Sequence, residues 1–408
     1  MKIALFSNEF PPHIYGGAGV HIDFLSQELA KLGEIEVRCF GEQSENNANM
    51  HIQGISACLN KMEEPSNSHI KMFHNLSRNV EMSQATPQAD IIHCHTWYTH
   101  LAGVFTRELL QVPLILTTHS LETHRPWKVE QLGNGYFLSR WIEDTAYKTA
   151  DGVIAVSEQM KQDVIEAYNV APEKVTVIHN GIDPEFYQPT FDQSLLLEYG
   201  INPNIPFVLF VGRITRQKGI SQLINAAKYF TPNCQVVLCA GAPDTPEIAA
   251  ETEALISELQ SQREGVILIS EMLPREKIKV LYSHARVFAC PSLYEPFGII
   301  NLEAMSCETP VVGSAVGGIP EIIVEGETGH LIPLESVSRT DFNPARPEEF
   351  QKQFAAKINI ILENETLAIQ MGKAGRKRVL EKFSWESIAK TTFNYYQEVI
   401  NRFEKEKA

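Results

Sequence analysis

Two carboxylates, Glu295 and Glu303, stand eight positions apart in Pro291-Ser-Leu-Tyr-Glu295-Pro-Phe-Gly-Ile-Ile-Asn-Leu-Glu303. An apolar run ends at Pro291 and a helix is expected to start near Gly298. Glu295 then lies in the connecting loop, and Phe297, Gly298 and Ile299 offer amide hydrogens at the helix start. One reading is a polar ligand site; the other is helix capping by Glu295 and a solvated face for Glu303. A second candidate is Phe210-Val-Gly-Arg213-Ile-Thr-Arg-Gln-Lys218-Gly219, where two cations follow a strand and open a helix. Helix dipole and side chains there would meet on one anion, and a phosphate is the obvious guest.

The first half of the chain carries weaker signals. Glu9-Phe-Pro-Pro-His-Ile-Tyr15-Gly16-Gly17-Ala-Gly19 follows the first apolar run and precedes a helix. It reads either as a ligand loop that presents Gly16 and Gly17 to a phosphate or sugar, or as a tight turn. It is not G-x-G-x-x-G. His93 and His95 share one face of a strand, with Trp97 and Tyr98 just beyond. A metal there needs a third ligand, and none stands at a regular spacing, so no metal is expected. His119 ends another strand and is followed by Arg125, Trp127 and Lys128, a loop suited to a polar ligand.

These segments need a scaffold. Apolar runs at Ile3–Phe6, Val37–Phe40, Asp90–His95, Pro113–Thr118, Gly152–Ser157, Val175–His179, Pro206–Val211, Cys234–Ala240, Gly265–Ser270, Val287–Pro291, Pro310–Gly313 and His330–Pro333 show little alternation. That is how strands of a parallel sheet read when helices cover both faces. Helical stripes lie between them, including Val20, Phe24, Leu25 and Leu29. The fold class expected is α/β, doubly wound, in two Rossmann-like domains that present strand carboxyl ends to a shared cleft. Residues 42–88 are polar and weakly periodic and read as a surface insertion with one or two helices. Residues 183–206, with four prolines, read as the linker. The expected domains are 1–190 and 191–384, with a final helix of about 385–408 packed back on the first.

Length and charge set outer bounds. A chain of 408 residues is long for one core. A net charge of −15 disfavours general nucleic-acid or anionic-membrane binding while leaving room for a local phosphate site. The seven cysteines lack C-x-x-C spacing and read as buried reduced thiols of a cytoplasmic protein. No signal segment or membrane span is expected.

In combination these motifs resemble glycosyltransferase family 4. Glu295 to Glu303 is similar to the E-x7-E signature of its retaining members, which have the GT-B fold. Arg213 and Lys218 resemble that family's pair for the donor diphosphate, and Tyr15-Gly-Gly-Ala-Gly19 its N-terminal glycine loop. Pro11–His21, His95-Thr-Trp-Tyr98, Thr118–Glu122, Arg125–Gly133 and Ala240–Ile248 look most like the short actinobacterial-type glycogen synthases and α-maltose-1-phosphate synthases. Two positions depart from pattern: Thr96 stands where larger bacterial glycogen synthases carry Asp, and Arg140 where the short enzymes usually have a small residue.

The resemblance implies roles. Glu303 would bind ribose hydroxyls and Glu295 the transferred glucose, helped by the amides of Phe297, Gly298 and Ile299. Met272, Leu273 and Leu281 would flank the base, and Gly16 and Gly17 would complete the donor site. His119 would sit beside the anomeric carbon, so His119, Arg213, Lys218 and Glu295 form the catalytic set. Tyr15, His95, Trp97, Arg125, Trp127 and Lys128 would receive the acceptor.

The expected activity is retaining transfer of glucose from ADP-glucose or UDP-glucose to an α-1,4-glucan end or glucose-1-phosphate, without cofactor or metal. Arg125 and Lys128 around Trp127 favour the sugar phosphate. The alternatives are a family member with another small sugar or sugar-phosphate acceptor, and a non-catalytic nucleotide-sugar-binding module. A two-domain dehydrogenase lacks its glycine fingerprint.

Overall fold

The computed structural model describes residues 1–14, 16–56, 68–84, 88–338 and 341–407. The chain forms two compact units, Met1–Gly181 with Trp385–Ala408, and Ile182–Ser384. Each is a mainly parallel sheet with helices between strands, the α/β class expected from the sequence.

Among the described residues the first unit has eight strands: β1 (Lys2–Ser7), β2 (Glu34–Phe40), β3 (Ser44–Asn46), β4 (Met50–Ile55), β5 (Ile91–His95), β6 (Leu114–Thr118), β7 (Gly152–Ala155) and β8 (Val175–Val177). Their order is β3-β4-β2-β1-β5-β6-β7-β8, parallel throughout except that β3 runs against β4. β1, β5, β6 and β7 are nearly fully buried, which accounts for their unbroken apolar runs. From β1 the chain moves to β2 on one side and later to β5 on the other. That reversal opens a crevice beyond the carboxyl ends of β1 and β5.

The polar segment 42–88 differs from expectation. It supplies two strands of the sheet, β3 and β4, as well as helix Ser68–Gln84. β4 lies between β3 and β2, yet only Ile52 and Ile55 of its 6 residues are fully buried, so its apolar content is too low to stand out. The helix Gly17–Leu29 also turns a slightly different face inward: Ile22, Leu25, Leu29 and His21 are buried, whereas Val20 and Phe24 are half-buried.

The final helix, Trp385–Lys407, belongs to the first unit. Its Trp385, Ile388, Tyr396 and Val399 join Ile3, Leu5, Ile22 and Leu25 in one core. Trp385 stacks on Phe24 with ring centroids 5.7 Å apart, and Tyr395 Oη donates to the Lys174 carbonyl at 2.8 Å. Gly181 sits against the Trp385 ring, where an added Cβ would lie 2.6 Å from it.

Among its described residues the second unit has six parallel strands: β9 (Phe207–Arg213), β10 (Gln235–Gly241), β11 (Val266–Ile269), β12 (Val287–Cys290), β13 (Val311–Ser314) and β14 (Gly329–Ile332). Their order is β11-β10-β9-β12-β13-β14, so the reversal falls between β9 and β12. The proline-rich stretch 183–206 is packed into this unit. Asn202 N–H donates to Gln235 Oε1 at 2.9 Å, and Gln235 donates to the Asn202 and Ile205 carbonyls. Its prolines break regular structure without detaching the chain. Six described cysteines are buried and free, and Cys58 lies outside the described residues. Among the described residues, no helix is long and apolar enough to cross a membrane.

Candidate functional site

In the second unit the reversal point gathers the strongest sequence candidates. β9 ends at Arg213 and a short turn, Arg216–Lys218, follows. Thr215 closes the turn by accepting the Lys218 N–H at 3.2 Å. Gly219 has φ +63°, and a Cβ there would meet the Pro291 carbonyl oxygen at 2.0 Å. Only glycine lets this turn lie against the loop that leaves β12.

That contact brings Lys218 to Glu295. Lys218 Nζ donates to Glu295 Oε2 at 2.6 Å, and Ser292 Oγ donates to the same oxygen at 3.0 Å. Glu295 is 6% exposed, so its charge is compensated from within the protein. Burial pushes the Lys218 ammonium down, but the charge and hydrogen bond of Glu295, together with the neighbouring Cys290, outweigh it and the pKa ends above its usual value. Arg213, close enough to oppose that rise, pairs with Asp244 in the loop after β10. Asp244 lies in a segment the sequence reading quoted without giving it a role.

Helix Ile299–Ser306 starts where expected. Gly298 has φ +102°, and a Cβ there would lie 2.5 Å from Asn301 Nδ2 and 3.2 Å from Glu295 Cγ. The amides of Gly298 and Ile299, at the helix start, have no intrahelical acceptor. The Phe297 side chain is in the core.

Glu303 is half-buried and held by two tyrosines. Tyr187 Oη donates to Oε1 and Tyr282 Oη to Oε2, each at 3.0 Å. Burial raises the Glu303 pKa, against the tyrosine hydrogen bonds. Neither tyrosine was singled out from sequence; they lie 116 and 21 positions away. Met272 is 72% exposed and Leu273 nearly buried, while Leu281 has no exposed surface. Leu281 is therefore corrected from a base-flanking residue to an interior one. It lies on the inward face of helix Arg275–His284, between the buried Val280 and Tyr282.

In the first unit the reversal point gathers histidines. His95 ends β5, His119 follows β6, and His21 comes from the helix after β1. His95 Nδ1 lies 3.1 Å from His119 Nε2. The His21 ring centroid is 4.8 Å from that of His119 and 5.4 Å from that of His95. His21 Nδ1 is 2.7 Å from Asn180 Oδ1, an acceptor, so Nδ1 carries the proton and Nε2 the lone pair. His93 is used differently, with Nδ1 2.6 Å from Tyr396 Oη and Nε2 2.6 Å from Thr117 Oγ1. Burial lowers the pKa of His21 to about 4 and those of His93, His95 and His119 well below the usual value, so the rings are neutral at neutral pH. His21 was missed as a site residue; its helical position gives no sign that it meets rings 74 and 98 positions on. Beside His95, Thr96 adopts φ +65°, ψ 153°, a region costly for a side chain, and its hydroxyl donates to Asn8 Oδ1 at 2.6 Å.

The glycine loop is partly satisfied by its own chain. Gly16 N–H donates to Glu9 Oε2 at 2.8 Å, while open space surrounds the place a Gly16 Cβ would take and Gly17 is exposed. Tyr15 lies outside the described residues, as does the Trp127 side chain. Trp97 is corrected. It is 4% exposed and packed with Met72, Leu101 and Ile142, so its face belongs to the core and not to an acceptor.

The loop cations are also more occupied than their sequence implied. Lys128 is 7% exposed, with Nζ 3.2 Å from the buried Glu122 carboxylate. Arg125 lies 3.9 Å from the same carboxylate and donates to Ser120 Oγ at 3.1 Å. Burial and the Arg125 charge lower the Lys128 pKa, against the attraction of Glu122. Behind them Glu143 accepts from Glu122 N–H at 2.8 Å and from Tyr168 Oη. Burial and the nearby Glu122 charge raise the Glu143 pKa.

Residues 15–186 match the family described as Glycosyltransferase Family 4, and residues 196–341 match Glycosyl transferases group 1. The chain is 43% identical to the α-maltose-1-phosphate synthase of Mycolicibacterium smegmatis, over 98% of this chain and 100% of the relative. It is 41% identical to that of Mycobacterium tuberculosis at the same coverage. Among solved structures, the sucrose-phosphate synthase of Thermosynechococcus elongatus superposes with a TM-score of 0.76 at 25% identity, covering 98% of this chain and 99% of that one.

Proposed function

We propose, for this chain that belongs to glycosyltransferase family 4, that it moves glucose from ADP-glucose or UDP-glucose to glucose-1-phosphate with retention at the anomeric carbon. The observation that carries the donor side is the Lys218–Glu295 contact beside the amides of Gly298 and Ile299. An ammonium has three donors, and Glu295 takes one of Lys218's, which leaves the cation able to reach a phosphate oxygen. Lys218, Arg213 and the helix start would neutralise the leaving diphosphate without a metal. Glu303, steadied by Tyr187 and Tyr282, would take the ribose hydroxyls, and Glu295 those of the glucose.

The chemical step is front-face attack. The acceptor hydroxyl oxygen bonds to the anomeric carbon as the bond from that carbon to the diphosphate breaks. The hydroxyl proton passes to the departing phosphate oxygen. His119 is neutral and serves as a hydrogen-bonding partner of the sugar.

Likeness to the two α-maltose-1-phosphate synthases supports glucose-1-phosphate as acceptor. A second reading, elongation of an α-1,4-glucan end, is favoured by the Glu122 carboxylate, which already takes the charge of Lys128. Both donors are incubated separately with glucose-1-phosphate, maltooligosaccharide and glucose, and products are resolved by mass and by the anomeric proton coupling. A disaccharide phosphate with an α linkage is expected. Extension of maltooligosaccharide alone selects the second reading, and no transfer from either donor defeats both. Full activity is expected after exhaustive EDTA treatment.

A further inference from the structure

We propose that His21, His95 and His119 form a binding site for a borderline divalent transition-metal ion of the zinc class. Each ring offers one nitrogen, and the three nitrogens lie within 4.8 Å of one another. His95 Nδ1 and His119 Nε2 are already 3.1 Å apart. Two imidazole ligands of a tetrahedral zinc, each at about 2.0–2.1 Å, stand about 3.4 Å apart, so this pair needs little adjustment. His21 closes the set by a modest ring movement.

The surroundings prepare the ligands. Asn180 accepts the Nδ1 proton of His21, which fixes the tautomer and leaves Nε2 as a lone pair. That Nε2, and Nε2 of His95, are buried with no hydrogen-bond partner among the described residues. Buried polar atoms are rarely left so, and an unfilled coordination role accounts for one of them directly. For His95 and His119 to ligate through the facing nitrogens, each keeps its single proton on its other nitrogen, and the hydrogen bond between them is replaced by two bonds to the metal. His93 is excluded because Tyr396 and Thr117 occupy both of its nitrogens.

The donor set selects the ion. Three neutral imidazoles without a carboxylate suit zinc, cobalt, nickel or copper, and not magnesium or calcium, which take oxygen ligands. His119 is half-buried, so solvent can reach the fourth position. This site is no part of the metal-free transfer proposed above. Its consequence for activity, which rests on that reading, is inhibition, because the ion withdraws His119 from the sugar.

The test uses the full chain stripped with EDTA and titrated with cobalt(II) chloride. One equivalent should bind, with the visible bands of a tetrahedral ion, and zinc should displace it and bleach them. His119→Ala and His21→Asn should each weaken cobalt binding at least tenfold with unchanged far-ultraviolet circular dichroism. His13→Ala and His51→Ala, at exposed positions, should leave it unchanged. Absence of stoichiometric tetrahedral cobalt, an unaltered spectrum in folded His119→Ala, or its loss in His51→Ala would each overturn the site. Zinc inhibition of glucosyl transfer, reversed by EDTA and absent in His13→Ala only if adventitious, is read separately; a bound metal with undiminished transfer overturns the inhibitory consequence alone.

Discussion

Acidification should destabilise the first unit before carboxylate titration dominates, and His100 allows the effect to be sized. It is 1% exposed, and neither ring nitrogen has a partner among the described residues. Burial lowers its pKa from 6.5 to about 3. A histidine whose folded pKa lies below its unfolded one gives stability that is complete above the unfolded value, 6.5. That stability is lost as pH falls from there towards the folded value. At pH 5 the unfolded chain is protonated over about 1.5 pH units in which the native ring stays neutral, which amounts to about 2 kcal/mol. With a urea slope of about 2 kcal/mol per molar, the unfolding midpoint should drop by about 1 M between pH 8 and pH 5 from this residue alone. His21 acts in the same direction. All four tryptophans, Trp97, Trp127, Trp141 and Trp385, fall in the first unit, so intrinsic fluorescence follows that unit selectively. The measurement is a urea melt at each pH, in EDTA, for the native chain and His100→Gln. The variant should lose about 1 M of the pH-dependent shift. A variant with the full native shift would show that His100 is not held neutral by burial, and the reasoning would fail.

Glu143→Gln should flatten the alkaline side of the same profile. The carboxyl pKa is raised, so its favourable contribution is present at low pH and lost as pH rises from the unfolded value through the raised one; urea midpoints at pH 6 and pH 9 decide it. Lys218→Ala should cut turnover at least tenfold and also destabilise the second unit by about 3–5 kcal/mol, because Glu295 is left buried without its cation. Calorimetry of Lys218→Met with Glu295→Gln should recover most of that stability and none of the activity. Glu303→Gln keeps hydrogen-bond acceptors for one tyrosine only, and the donor KM should rise at least tenfold, with product formation assayed at saturating acceptor. Trp385→Ala should cost the first unit about 3–5 kcal/mol through the cavity left beside Gly181 and Phe24, read by chemical denaturation followed by circular dichroism.

Much of this fold is legible in the chain itself. Strands covered on both faces must be apolar at every position, and all twelve such runs meet a strand of the two sheets. Glu295 and Glu303 could be found because loop, glycine and helix start are consecutive, and local spacing fixes which residues flank a helix N-terminus. Strand β4 escaped because only Ile52 and Ile55 among its 6 residues are fully buried, too few to write the pattern.

Pairings across the sheets were not legible. Lys218 meets Glu295 from 77 positions away because β12 is laid beside β9, and Glu303 meets Tyr187 from 116. His21, His95 and His119 converge because β1, β5 and β6 are neighbours, although the segments that carry them are far apart in the chain. Trp97 and Lys128 show the converse. Their residue types promise a ligand surface, but packing against Met72 and Leu101, and a buried Glu122, spend them inside the protein. Sequence determines what each residue can do and which local element carries it; strand order decides which side chains share a site, because adjacency in a sheet depends on where the chain crosses over and not on distance along it.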